Sequence, residues 1–356
     1  MTHLVSPRVH WPAPLSFKAH HMSRSSEGIE DKIVARMVDI SEIPIIDFSP
    51  FLRGDLSGKA RVATQIAEAC TRIGFFYLSG HGVDQALIDG AFEQSAEFYH
   101  RPAEEKQQAL ATVDWYRGWV PMPPAQKLSR NSRLHEQYRL QSEFDDGEVD
   151  PLFYRPNRWP ADMPVFRDTC TRYYDAMTAL SRELLKAFAI GLGLHENRFD
   201  GYFHRPLSQL SLLYYIPLPD DADIEVSNTV SHTDEGPFTI LAQDMRGGLE
   251  VKRRDGTWIE APPIPGALTI NVGDMMMWWS NGRYLSNFHR VRNRSRHERF
   301  SIPFFMNPDR DVVVEPLPEL IAQDHERRFE AVNVGKHLSR FYESLNKRAA
   351  EAAAQM

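Results

Sequence analysis

Apolar positions recur at steps of three and four along residues 59–74, where Val62, Ile66, Ala69 and Ile73 share a face; the spacing predicts a helix stopped by Gly74. Phe75-Phe76-Tyr77-Leu78 is apolar without gaps and reads as a buried strand, after a shorter β-rich run at Ile43-Pro44-Ile45-Ile46-Asp47-Phe48. A second helix is predicted from about Gln85 to His100. The longest stripe, Phe166, Cys170, Tyr173, Met177, Leu180, Leu184 and Phe188, predicts a helix over about 163–192. Between them, residues 112–160 carry many prolines and aromatics with weak periodicity, and read as a long functional loop region. Beyond Ser208 the texture changes to short β-rich runs separated by turn signals: Leu210–Ile216, Phe238–Gln243, Leu249–Lys252, Thr257–Glu260, Ala267–Asn271, Met275–Trp279, Asn287–Val291, Phe300–Met306 and Val312–Val314. A helix over about 334–353 closes the chain. This order predicts an α+β fold whose core is a β sandwich or barrel. The expected division is a flexible arm over 1–38 and one domain over 39–356, with helices and strands over 39–205 and the β core over about 206–315.

Composition narrows the function classes. The net charge is −7 and there is no Lys/Arg stripe, so neither nucleic acid nor an anionic membrane is an expected partner. Two cysteines, Cys70 and Cys170, exclude a disulfide scaffold and fit a reducing, cytoplasmic setting; both fall on predicted helix cores. No apolar run nears the roughly 20 residues of a membrane span, and the arm lacks the apolar stretch of a secretion signal. The phosphate-binding loop, dinucleotide fingerprint, nucleophile elbow, Cys-x-x-Cys pair and zincin helix motif are all missing.

One constellation remains. In His232-Thr233-Asp234, at the end of a β-rich run, residues i and i+2 share a strand face, so an imidazole and a carboxylate can bind one metal. His289, in another predicted strand, offers a third ligand. Two histidines and a carboxylate leave half of an octahedral ion open, which suits non-haem Fe(II). Arg299 and Ser301 share a face by the same rule; a guanidinium fork fits a carboxylate and the hydroxyl adds a third bond. Taken alone, each feature has an ordinary alternative: a core histidine, or a strand Arg paired with Glu298. Gly247-Gly248 and Gly273-Asp274 read as tight turns where glycine tolerates positive φ, with Asp274 a turn residue and not a fourth ligand.

With these residues in place, the chain resembles the iron(II)- and 2-oxoglutarate-dependent oxygenases of the isopenicillin N synthase-like type, over about residues 43–315. The motifs that carry the resemblance are His232-Thr233-Asp234-Glu235-Gly236, Gly247-Gly248-Leu249-Glu250-Val251, Asn271-Val272-Gly273-Asp274, Ser280-Asn281-Gly282, His289-Arg290-Val291 and Arg299-Phe300-Ser301, with Gly74-Phe75-Phe76 and Gly80-His81-Gly82 upstream. It implies a double-stranded β-helix, or jelly roll, with helices packed outside. It implies iron ligands His232, Asp234 and His289, and a 2-oxoglutarate grip by Arg299, Ser301 and Tyr215. Leu213 stands where the family often has Asn. The cofactors implied are Fe(II), 2-oxoglutarate and O2, with ascorbate as an optional reductant. The expected reaction is hydroxylation, desaturation or cyclisation of a small, partly apolar secondary metabolite or modified amino acid by a monomer or homodimer. Phe305 shares strand parity with Ser301 and is expected to face the substrate, as is Ser211; Trp115, Tyr116 and Trp119 are expected to stack on it. Two other readings stay open: an oxidase of the same fold that needs no 2-oxoglutarate, and a barrel that binds metal or ligand without turnover.

Overall fold

A computed structural model describes residues 42–112, 114–122, 135–144, 152–217, 229–292 and 297–353. The predicted arm over 1–38 lies outside the described residues. Twelve strands build two sheets: β1 (Ile45–Asp47), β2 (Phe75–Ser79), β3 (Gly118–Val120), β4 (His135–Gln141), β5 (Gln209–Tyr215), β6 (Thr229–His232), β7 (Phe238–Gln243), β8 (Leu249–Lys252), β9 (Trp258–Glu260), β10 (Leu268–Val272), β11 (His289–Val291) and β12 (Arg299–Met306). The major sheet has the order β1-β2-β10-β7-β12-β5-β4-β3, antiparallel except for β1 with β2; the minor sheet has the order β6-β11-β8-β9.

Strand alternation sorts the residues into two layers. Phe76 and Leu78, Leu210 and Leu212, Ile240 and Ala242, Ile270, and Ile302, Phe304 and Met306 point outward from the major sheet into one apolar cluster. Helices α1 (Leu56–Arg72), α2 (Gln85–Tyr99) and α3 (Pro164–Gly191) cover that cluster with Val62, Ile66, Cys70, Phe92, Phe98 and the predicted α3 stripe. The inward positions of both sheets meet in a second cluster of Phe75, Tyr77, Tyr215, Leu249, Val251, Ile259 and Val291. This is the expected α+β, double-stranded β-helix with helices outside it. Both cysteines are buried free thiols on helix cores, as the sequence pattern has them. Among the described residues, no helix is long and apolar enough to cross a membrane.

Helix ends follow local chemistry. Asp55 caps α1 by accepting from the Gly58 amide at 2.5 Å, which starts the helix three residues before the periodic run. After it, Gly74 adopts φ +73°, and a Cβ there would sit 2.1 Å from the Leu285 carbonyl oxygen, so both conformation and space demand glycine.

Two predicted elements differ. Met275–Trp279 is not a strand: residues Asp274–Trp279 form a short helix, α4, with Met275, Met276 and Trp279 buried. A short apolar run suits a buried strand or a buried helix turn equally. The stretch over 112–160 is not all loop, since β3 and β4 extend the major sheet there. The last helix, α5 (Val334–Ala353), is as predicted.

Candidate active site

The two histidines meet because of strand register. His232 and His289 are cross-strand partners on β6 and β11, where opposite Cβ atoms stand about 5 Å apart. Their rings are 4.3 Å apart. Nδ1 of His232 is 2.8 Å from the Val230 carbonyl, and Nδ1 of His289 is 3.2 Å from that of Asn287. A carbonyl only accepts, so each Nδ1 carries a proton, and in the neutral ring each Nε2 presents a lone pair. Asp234 lies beyond the end of β6, in the connection to β7, and not within the strand. Its Oδ1 is 3.6 Å from Nε2 of His232 and 3.7 Å from Nε2 of His289. One donor atom from each residue lies within 4.8 Å of the others.

The other carboxylate oxygen of Asp234 belongs to the protein. Thr239 Oγ1 donates to Oδ2 at 2.5 Å and Asn271 Nδ2 at 2.7 Å. These donors sit opposite each other on β7 and β10, so Asp234 bridges the minor sheet to the major one. Burial by itself would raise the Asp234 pKa; His289, His232 and the two hydrogen bonds outweigh it and hold the group below the ordinary carboxylate range. The Asp234 backbone is fixed too. The Asp274 amide, at the start of α4, donates to the Asp234 carbonyl at 2.8 Å, and the Met275 amide to that of Gly236 at 3.2 Å. Gly273 makes this contact possible through space and not through a positive φ. Its φ is −111°, and a Cβ there would stand 2.2 Å from the Gly236 oxygen and 2.8 Å from that of Asp234. Gly247 and Gly248 do take positive φ, as a tight turn requires. Asp274 accepts from Thr233 Oγ1 and is outside the three-residue cluster.

Along the same interior surface, Arg299 is buried at the start of β12, opposite Tyr215 of β5. Its Nε donates to the Gly247 carbonyl at 2.5 Å, Nη1 to Ser301 Oγ at 3.1 Å and Nη2 to Gln243 Oε1 at 3.2 Å. The guanidinium lies 4.6 Å from the Tyr215 ring. All of these partners are neutral. Leu213, at the position where the resemblance points to Asn, faces the interior opposite Ser301.

The candidate substrate residues separate. Phe305 points inward and is half-buried; Ser211 points inward and accepts from Gln137 and Gln209, both at 2.9 Å. Tyr116 is buried between Tyr342 of α5, stacked at 4.1 Å, and the Arg139 guanidinium at 4.3 Å. Trp119 is placed otherwise. It pairs with Tyr138, whose side chain faces the helices, and its Nε1 donates to Glu136, which also holds Lys106. It is therefore core on the helix side and does not reach the barrel interior. Trp115 is also occupied: the Arg155 and Arg158 guanidinium carbons each lie 4.8 Å from its ring and its Nε1 donates to the Pro156 carbonyl. Sequence reasoning missed Thr239, Asn271, Gln243 and Arg139 as individual site residues. The available signal was a polar side chain at an inward position of a strand.

The donor set fits a first-row divalent ion: two imidazole Nε2 atoms and one carboxylate oxygen, on one side, with tautomers and carboxylate rotation already fixed. Comparison with known proteins agrees. Residues 43–162 match the family model for the "non-haem dioxygenase in morphine synthesis N-terminal" region, and residues 206–308 match the 2OG-Fe(II) oxygenase superfamily model. The 2-oxoglutarate-Fe(II) type oxidoreductase ppzC of Metarhizium rileyi is 34% identical over 327 residues, covering 84% of this chain and 86% of the relative. Homoarginine-6-hydroxylase 2-ODD-C23.2 of Arabidopsis thaliana is 32% identical over 320 residues, covering 86% and 88%. A full-length Neurospora crassa protein, crystallised in complex with alpha-KG and thymine, superimposes with a TM-score of 0.77 at 31% identity, covering 85% of this chain and 97% of that one. The matched segments take in both the helical layer and the barrel that joins His232, Asp234 and His289, and the chain belongs to the 2OG-Fe(II) oxygenase superfamily, as an oxidoreductase that uses Fe(II) and 2-oxoglutarate.

Proposed function

We propose that the chain hydroxylates, desaturates or cyclises a small, partly apolar organic molecule of secondary metabolism, with Arg299, Ser301 and Tyr215 holding the far carboxylate of 2-oxoglutarate. The observation that carries this reading is the buried Arg299 guanidinium, whose hydrogen-bond partners are all neutral; the carboxylate that bears on it, Asp244, accepts from the Phe300 and Arg246 amides and not from the guanidinium fork. A buried cation is expensive unless an anion completes it, and a carboxylate matches its fork. Ser301 adds a hydroxyl beside the fork, and Tyr215 supplies a ring face.

Iron held by His232, Asp234 and His289 would supply the oxidising chemistry, coupling the oxidative decarboxylation of 2-oxoglutarate to oxidation of the substrate. The chain's own work is positional. The Val230 and Asn287 carbonyls keep both Nε2 lone pairs facing one point. Thr239 and Asn271 hold Oδ2 so that Oδ1 alone is offered. Leu213, Leu241 and Val251 belong to the apolar cluster of inward positions. Phe305 and Ser211 are the substrate-facing residues of this reading, with Tyr116 behind them.

The test is succinate formation by anaerobically iron-loaded protein, titrated with 2-oxoglutarate. Arg299→Met should raise the 2-oxoglutarate concentration needed for half-saturation by on the order of thirtyfold or more, the loss from truncating one partner of a buried charge pair. Slow succinate release in the parent should vanish in His289→Ala. An unchanged co-substrate requirement in Arg299→Met removes the residue from this role.

A further inference from the structure

A second buried guanidinium faces the barrel interior, on β4. Arg139 is fully buried opposite Ser211 of β5. Its Nε donates to Gln137 Oε1 at 3.1 Å and Nη1 to the Tyr116 carbonyl at 3.4 Å, while Nη2 has no partner. Among the described residues, the only ionisable groups that bear on it are the phenols of Tyr116, Tyr342 and Tyr99; no carboxylate does. As at Arg299, every hydrogen-bond partner is neutral; here one donor is unmet as well, and no carboxylate bears on the group as Asp244 does on Arg299.

Unmet acceptors stand beside it. Gln141 and Gln209 are register partners on β4 and β5, on the same face as Arg139 and Ser211, and the Oε1 atom of each is buried without a partner. A buried donor and two buried acceptors, neighbours in the sheet yet not bonded to each other, are costly and rare. A bound molecule that accepts from Arg139 and donates to the two amides would complete the arrangement.

Register locates this cluster relative to the metal residues. Gln141, Gln209, Phe305, Thr239 and Asn271 are successive partners across β4, β5, β12, β7 and β10. The cluster is therefore level with the two side chains that fix Asp234. β4 is three strands from β7, about 14 Å at the usual spacing. It is not a second view of the Arg299 pocket. The β4 residue level with Arg299 is His135, four residues from Arg139, or about 13 Å along the strand. Tyr342 of α5 closes the outer side, accepting from Gln141 Nε2 at 3.2 Å and stacking on Tyr116.

We propose that the substrate is an organic carboxylate that also carries N–H or O–H donors, of the amino-acid or hydroxy-acid class. Arg139 binds its carboxylate, and Gln141 and Gln209 accept from its donors. The proposal rests on the oxygenase reading above and names the substrate class of that same site.

The experiment compares matched carboxylate and amide probes by calorimetry. The full chain, loaded anaerobically with Fe(II) and saturating 2-oxoglutarate, is titrated with L-phenylalanine against L-phenylalaninamide, and with mandelate against mandelamide. Saturating 2-oxoglutarate keeps the probes off Arg299. Each acid should bind on the order of ten- to a hundredfold tighter than its amide, the usual range for a hydrogen bond to a charged group. Arg139→Gln should erase the preference and Arg139→Lys retain part of it, both with 2-oxoglutarate affinity unchanged. Equal binding of acid and amide, no binding of either acid to the parent, or a preference that survives in Arg139→Gln overturns the assignment. If Arg139→Gln does not fold, by circular dichroism, the parent comparison and Arg139→Lys decide. Failure of 2-oxoglutarate itself to bind the parent sinks the oxygenase reading instead, and is seen before any probe is added.

Discussion

Thr239→Val tests whether the metal seat depends on the carboxylate oxygen that faces away from it. The substitution keeps side-chain shape and removes one hydroxyl. That hydroxyl donates to Asp234 Oδ2 at 2.5 Å, and among the described residues only Asn271, at 2.7 Å, shares the oxygen. Asp234 is 7% exposed, so water does not readily replace the lost donor. A hydrogen bond to a charged group contributes about 1.5–3 kcal/mol. Loss of an outer partner of a metal ligand costs about ten- to a hundredfold in affinity, or about 1.4–2.8 kcal/mol at 1.4 kcal/mol per decade. The two ranges agree, so Thr239→Val should bind Fe(II) or Mn(II) ten- to a hundredfold more weakly. The assay is anaerobic competition against a chelator of known affinity, with Asp234→Ala as the limit of full loss. Asn271→Leu should fall in the same range, and the double variant should fall short of the sum, because both act on one oxygen. A metal affinity within threefold of the parent, in folded Thr239→Val protein, would refute the claim that Oδ2 anchoring positions Oδ1.

Two further perturbations separate the seat from the scaffold. Gly273→Ala places a methyl 2.2 Å from the Gly236 carbonyl oxygen and 2.8 Å from that of Asp234; backbone must shift, so metal affinity and melting temperature should both fall, and unchanged metal affinity would disprove the tie between this turn and the ligand. Glu136→Leu strips the nearly buried Lys106 ammonium of its carboxylate, leaving it the Tyr99 carbonyl; stability should drop by about 3–5 kcal/mol, read by denaturant unfolding, while metal and 2-oxoglutarate affinity stay as they were because the pair lies on the helix side of the sheet.

Period-two alternation made much of the barrel legible. It placed Arg299 and Ser301 on one face, and Phe305 with them, because the side-chain period of a strand holds along its length. Strand pattern offered the histidines as candidate ligands and the resemblance joined them as a set; their meeting comes from cross-strand register, which no local pattern encodes. β4 was invisible for a physical reason. Its sequence His135-Glu-Gln-Tyr-Arg-Leu-Gln141 puts His, Gln, Arg and Gln inward and Glu, Tyr and Leu outward, the reverse of an ordinary half-buried strand. A strand whose inward side chains are polar lacks the apolar inward stripe by which strands are found. Trp119 failed by the same omission: its side follows from pairing with Tyr138 on that unseen strand. Asp234 failed in detail only, since the chain leaves β6 at His232 and the carboxylate is held by α4 and two donors of the major sheet, not by strand geometry.

The inward face of the major sheet carries two guanidiniums with no carboxylate among their hydrogen-bond partners, on different strands and at different levels, and this separation has a consequence for specificity. The groups that hold Asp234 come from β7, β10 and the start of α4. Arg299 comes from β12. None of them comes from β4, whose inward residues Gln137, Arg139 and Gln141 bond to Ser211, Tyr116, Tyr342 and one another. Arg139 and Gln141 can therefore change without disturbing either the metal ligands or the Arg299 pocket, whereas His135, whose ring lies 5.1 Å from that of Tyr215, cannot. Under the substrate assignment proposed above, replacing Arg139 and its two amide neighbours together should redirect which molecule is oxidised while metal affinity and 2-oxoglutarate affinity hold. The same set placed on β7 or β10 could not do this, because Thr239 and Asn271 there already donate to Asp234 and Gln243 already accepts from Arg299.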